Sequence, residues 1–157
     1  MYETRWITKD EITIVADYWY RMAAEMGEVD GIPKPDVTRK EEVEKLFQRE
    51  FDSGLLRFRV AVAEDNHIVA CAGGLLREEY AFPLAEEQSL FGWVIAVYTV
   101  ENHRKNGLAH QLVDDICLWL KQKGATRARL WSSIKGRKVY EDLGFEDMLD
   151  MSKSLES

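Results

Sequence analysis

The sequence predicts a mixed α/β structure, helices layered around one sheet, in the order βααβββαβαβ. Three observations carry that expectation. Apolar residues recur at helical spacing through the first third of the chain. Between residues 56 and 77 the period drops to two, the spacing of a strand. A long apolar segment, LFGWVIAVYTV (90–100), then leads into an amphipathic stretch with Leu108, Leu112, Ile116 and Leu120 on one stripe.

The elements follow in order. TRWIT (4–8) reads as a short opening strand. Asp10 caps a helix to Met26, in which Ile12, Val15, Ala16, Trp19, Met22, Ala23 and Met26 share a face. GEVDGIPKPD (27–36) has the composition of a connection. Thr38 caps a second helix with Val43, Leu46, Phe47 and Phe51 inward, and Gly54 ends it. LRFRVAVAE (56–64) alternates as a strand does, DN (65–66) supplies a hairpin turn, and HIVACAGGLLR (67–77) returns. EEYAFPLAEEQS (78–89) reads as a loop. The 90–100 segment is a strand apolar enough to be buried on both faces. A helix over 106–123 stops at Gly124, RARLWSS (127–133) is a strand, GRKVYEDL (136–143) a short helix, and FEDMLDMSKSL (145–155) a closing strand.

No repeat or linker divides the 157 residues, so one domain spanning 1–157 is expected. A chain of this size buries about 70% of its unfolded surface. No apolar run approaches the ~20 residues of a membrane span, so no membrane partner is expected. The first residues, MYETRWITKDE, lack the basic flank and apolar stretch of a secretory signal. Cys71 and Cys117 stand far apart without metal-ligand spacing and read as reduced core thiols. A cytoplasmic protein without a metal is the expectation. Charge is uneven. Residues 101–139 hold nine basic side chains against three acids, while the whole chain carries a net charge of -7. An acidic protein with one basic tract suits a local anion site and not a nucleic-acid partner.

That tract contains HRKNGLAHQL (103–112), which joins the apolar strand to the amphipathic helix. Such a junction aims unpaired N–H groups and the positive end of a helix dipole at one spot, where a phosphate binds well. Gly107 would let a diphosphate approach the backbone without a Cβ in the way, or it serves only the turn. Ala109 is small in the same manner, and Arg104 and Lys105 add charge. The phosphate loops GxxxxGK[ST] and GxGxxG are both absent.

What remains, Arg104-x-x-Gly107-x-Ala109 after VYTV, resembles the acetyl-CoA signature [QR]-x-x-G-x-[GA] of the GNAT superfamily of N-acetyltransferases. YEDLGF (140–145) resembles the family's second hallmark, a tyrosine followed by x-x-L-G-F. The likeness covers some 54 residues from Gly92 to Phe145, and the element order matches along nearly the whole chain. The resemblance implies a single-domain GNAT-like fold: a mixed, mostly antiparallel sheet with a splayed strand pair and helices on both faces. It implies acetyl-CoA as co-substrate. Tyr98, Thr99 and Val100 would pair with the pantetheine arm. The N–H groups of Lys105, Asn106, Gly107, Leu108, Ala109 and His110 would receive the pyrophosphate, with Arg104 beside them. A backbone N–H near Val97 or Tyr98 would polarise the acetyl carbonyl. Tyr140 maps onto the general acid that protonates the departing thiolate, and a tyrosine stays protonated at neutral pH.

The resemblance thins in three places. Some members carry a glutamate base on the bulged strand, but Phe91 to Ala96 contains no acid. Asn often stands at the position of Ala96. WSS stands where an Asn often helps the cofactor, leaving Ser132 and, above all, Ser133 as substitutes. Glu25, Glu86 and Glu87 are the candidates for a base from elsewhere. The acceptor side, formed in this fold by the first two helices and the loop before the bulged strand, is rich in acids such as Glu25, Glu28 and Asp30. Carboxylates attract a cationic amine, and Trp19, Tyr20, Tyr80, Phe82 and Trp93 are candidate walls. A small-molecule primary amine is therefore the expected acceptor, with Glu25 and Trp93 its nearest candidate contacts. The rival reading is a non-catalytic acyl-CoA sensor on the same fold. Met148, Leu149 and Met151 would suit the interface of a homodimer.

Overall fold

The computed structural model describes residues 1–31, 33–80, 88–148 and 151–156. Its sheet has five strands in the order β1 (Glu3–Trp6), β2 (Leu56–Val62), β3 (Ile68–Tyr80), β4 (Gln88–Thr99) and β5 (Arg127–Arg129). The first four are antiparallel, and β5 runs parallel to β4.

Side chains alternate across this sheet into two cores. Phe58, Val60 and Leu75 face α1 (Ile12–Asp30) and α2 (Val37–Asp52), packing with Ile12, Val15, Ala16 and Phe47. Ala61, Leu76 and Val94 face the other way, onto Leu112, Ile116 and Leu120 of α3 (Leu108–Gln122). Full burial of such a side chain contributes about 1.5–3 kcal/mol, so both faces favour one register. Gly92 lets α3 lie close to β4: a Cβ there would sit 2.5 Å from Leu120 Cδ1. Helices thus cover both faces, as expected.

Several boundaries differ from the sequence reading. The first helix is entered through a 3-10 turn at Lys9–Glu11, where Glu11 accepts the Thr8 N–H at 2.9 Å. It then runs four residues past Met26, with Gly27 inside it, and Gly31 closes it at φ +72°. A glycine costs a helix about 1 kcal/mol, which the packing of the surrounding turns outweighs. The second helix is capped by Asp36, not Thr38. The expected loop over 78–89 is partly strand. Glu78 pairs with Leu90 and Glu79 with Ser89, because the hairpin ladder continues beyond the apolar residues that mark its core. Phe82, Glu86 and Glu87 lie outside the described residues.

The expected closing strand is absent: among the described residues, neither 145–148 nor 151–156 forms a strand. Acids interrupt that segment, and Arg137 holds Asp147 at 2.7 and 2.8 Å. Leu149 lies outside the described residues, and Met151 is almost fully exposed. The strand expected over 127–133 keeps only Arg127–Arg129. The chain then leaves the sheet and enters α4 (Arg137–Asp142), whose Tyr140 packs with Leu143 and Phe145 against the α3 core. Among the described residues no helix is long and apolar enough to cross a membrane.

Candidate active site at a parting of two strands

β4 and β5 pair only at Phe91–Arg127, Gly92–Ala128 and Trp93–Arg129. Beyond Trp93 that edge of β4 has no strand beside it among the described residues, and a local distortion marks the change. Opposite β3, Cys71 pairs with Tyr98 but Gly73 with Ile95, so β4 carries one extra residue there. Ala96 takes it up at φ +51°, a left-handed conformation that Asn tolerates far better than Ala. The Ala96 carbonyl accepts the Cys71 thiol at 3.2 Å, and burial pushes that thiol up to about 12.

The gap opens into a cleft of about 870 Å³. Val97, Tyr98 and Thr99 form one wall, and Ser133, Gly136, Val139 and Tyr140 another. The far end of α1 adds Met22, Glu25, Met26 and Asp30. The loop before α3 adds Arg104, Lys105 and Gly107, and the first turn adds Leu108, Ala109 and His110.

That loop has the geometry of an anion cradle. Lys105 (φ +67°) and Gly107 (φ +74°) are both left-handed, and α3 begins at Leu108, two residues later than expected. Gln111 is the first residue of the turn whose N–H finds a backbone carbonyl, Gly107 O at 3.1 Å. The N–H groups of residues 105–110 have no acceptor among the described residues. Successive unpaired N–H groups at a helix start form an anion-binding concavity. Gly107 suits the turn through its left-handed φ, and the space its Cβ would enter is open to 4 Å.

Tyr140 faces the cradle's cleft from α4. Its ring meets Phe145 edge-on at 5.9 Å, and Gly136 makes room for it, since a Cβ there would lie 3.0 Å from Tyr140 Cε2. Burial alone pushes its phenol up to about 12. Ser133 Oγ accepts the Gly136 N–H at 3.0 Å, steadying the start of α4.

Other expected site residues are placed differently. Val100 turns away, donating its N–H to Val69 O at 2.8 Å. Asn106 spends its side-chain amide inside the loop, on His103 O at 3.0 Å and Arg104 O at 3.3 Å. Arg104 points back toward the protein: Nε donates to Thr99 O at 2.8 Å, and Nη2 donates to Glu25 Oε1 and Oε2 at 2.8 and 2.9 Å. Tyr98 Oη donates to the same Oε1 at 3.1 Å. Glu25, considered above as an acceptor-side acid, therefore has both oxygens engaged. Trp93 is not part of the cleft. It lines a second cavity of about 990 Å³, which shares Tyr140 with the cleft, and there it meets Trp131 edge-on at 6.2 Å. The sequence reading missed Gly136, and it missed the last turn of α1, which brings Asp30 to the cleft. Gly31, a C-terminal glycine, was the available signal for that turn.

A family model described as the acetyltransferase (GNAT) family matches residues 18–145. The chain belongs to the GNAT acetyltransferase family. The match ends at Phe145, the last residue of the tyrosine hallmark. GNAT structures also share its fold. A predicted acetyltransferase from Clostridium acetobutylicum, solved with acetyl-CoA, superposes with a TM-score of 0.84 at 22% identity, over 98% of this chain and 96% of that one. A GCN5-related N-acetyltransferase from Ralstonia eutropha gives 0.84 at 19%, over 99% of each chain. AAC(6')-Iy, solved with the bisubstrate analogue CoA-S-monomethyl-acetylneamine, gives 0.71 at 16%, over 100% and 99%. No curated protein matches the sequence. Membership in this family makes the protein an acetyltransferase by class, with the mixed sheet and flanking helices of a GNAT fold.

Proposed function

We propose that the chain, acting as one domain over residues 1–157, transfers an acetyl group from acetyl-CoA to a primary amine of a small molecule. The run of unpaired N–H groups at residues 105–110 is the observation that carries this reading. It fits a pyrophosphate, and the open edge of β4 at Val97, Tyr98 and Thr99 fits an extended arm that pairs with a strand. Acetyl-CoA supplies an acetyl group activated as a thioester, which an amine attacks directly. A backbone N–H at Val97 or Tyr98 polarises the acetyl carbonyl. As the C–N bond forms and the C–S bond breaks, Tyr140, kept protonated by burial, donates its phenolic proton to the departing sulfur, and the nitrogen gives up its proton to water.

Asp30 favours a cationic acceptor. Its Oδ1 is buried at the cleft with no hydrogen-bond partner among the described residues. It also stands at the last residue of α1, the negative end of the helix dipole, where a carboxylate is disfavoured. An ammonium group in the cleft would offset that charge. Turnover restricted to neutral or anionic acceptors would count against this assignment.

Thermal unfolding with acetyl-CoA tests the first half of the reading, with ATP and NAD as controls. Ligand at about 100 times its dissociation constant adds about 2.7 kcal/mol, a midpoint shift of about 5–10 °C. Tyr140→Phe tests the second half. It should lower kcat by about 10²–10⁴ and leave acetyl-CoA affinity intact. A protein that binds acetyl-CoA but turns over no amine, with either residue at 140, is a sensor and not an enzyme.

A further inference from the structure

Arg104 opens the acetyl-CoA signature, yet its guanidinium faces inward. It bridges three elements: its own loop, the end of β4 through Thr99 O, and α1 through Glu25. The guanidinium also lies 5.4 Å from the centre of the Tyr98 ring. Burial works against its charge, but the hydrogen bond and charge of Glu25 outweigh that and raise its pKa. Arg104 is therefore charged throughout the neutral range. The side chains of the pair are 32% and 42% exposed, and a pair so accessible adds little to global stability. Its effect must be local. Arg104 immediately precedes Lys105, a non-glycine held at φ +67°. Asn106 Nδ2 braces the opposite side of the same loop, donating to His103 O, Arg104 O and, at 3.3 Å, Tyr2 Oη.

We propose that Glu25 is a positioning residue for the anion cradle, acting through Arg104 to hold the N–H groups of residues 105–110 in their convergent arrangement. Glu25 is then neither the general base nor the acceptor's anchor, since both its oxygens are committed to the clamp. The inference rests on the cradle's being the acetyl-CoA site. It also makes a prediction of unusual sign. Glu25 is an acid beside an anion site, so charge alone says that removing it should tighten CoA binding. Positioning says the reverse.

The test uses the full chain carrying Glu25→Ala, Arg104→Ala or both, with CoA as the probe in titration calorimetry. Each single variant should weaken CoA about tenfold, and the double variant no further than the weaker single, because the two residues act as one unit. Glu25→Gln keeps one oxygen for Nη2 and should fall between the wild type and Glu25→Ala. Backbone amide resonances of residues 105–110 should move in Glu25→Ala without any ligand, while those near Lys121 at the far end of α3 stay in place. Tighter CoA binding in Glu25→Gln or Glu25→Ala would overturn the proposal. So would effects that multiply to about a hundredfold in the double variant, or unmoved loop amides. If the wild type itself does not bind CoA, the acetyltransferase reading falls, and the amide resonances alone still decide whether the clamp exists.

Discussion

β4 is two strands in one. Up to Trp93 it is flanked by β3 and β5, with Phe91 only 2% exposed and Gly92 pressed against Leu120. After the extra residue at Ala96 it keeps β3 but loses β5, and its free edge faces the cleft. Both halves are made of similar apolar residues. The first half uses them to hold the sheet to α3. The second uses the backbone between them, and its side chains merely anchor a surface whose useful groups are N–H and C=O.

Substitutions can break this contrast. Phe91→Ala, in the paired half, should cost about 3–5 kcal/mol in denaturant unfolding and leave CoA affinity unchanged in whatever fraction stays folded. A loss below about 1 kcal/mol would mean that the paired half is not the core it looks to be. The next effect appears on the pH axis. Tyr140 has a folded pKa of about 12 against an ordinary 10, so its contribution is fully present below pH 10 and is lost as pH rises through 12. A two-unit shift corresponds to about 2–3 kcal/mol. The alkaline unfolding limb of the wild type should therefore be steeper than that of Tyr140→Phe; superimposable limbs would show a solvated phenol.

Gly107→Ala should cost about 1–2 kcal/mol through its left-handed φ alone, since nothing crowds its Cβ. It should also weaken CoA about tenfold or more, and an unchanged dissociation constant would place the anion elsewhere. Tyr98→Phe, in the open half, removes one hydrogen bond to Glu25 and should cost only about 0.5–1.5 kcal/mol of stability. A cost as large as that of Phe91→Ala would erase the distinction between the halves.

The paired half was legible in the sequence because burial selects residue types. Period-two alternation located β2 and β3, and the stripe of Leu108, Leu112, Ile116 and Leu120 located α3. The turn before α3 was legible too, since glycine is the residue best suited to φ +74° and the motif fixes its distance from the strand. Side-chain direction was not legible. Nothing in HRKNGLAHQL says that Arg104 turns back to Glu25, a residue 79 positions earlier, because that pairing exists only once α1 lies beside β4. The surroundings of Trp93 were hidden for a related reason: its place beside Trp131, away from the cleft lining, exists only once the chain after β5 has left the sheet. The closing strand failed because alternation weakens when acids such as Glu146 and Asp147 take strand positions, and no local signal then separates a strand from an extended tail.

The cradle is written in main-chain atoms, so most of its side chains are free to drift. Lys105 and His110 are exposed and could each be exchanged while every N–H stayed where it is, provided the backbone path held, whereas Leu108 is fixed by the α3 core. The same fold recurs at 19% identity with a TM-score of 0.84, so a backbone shape persists where most side chains differ.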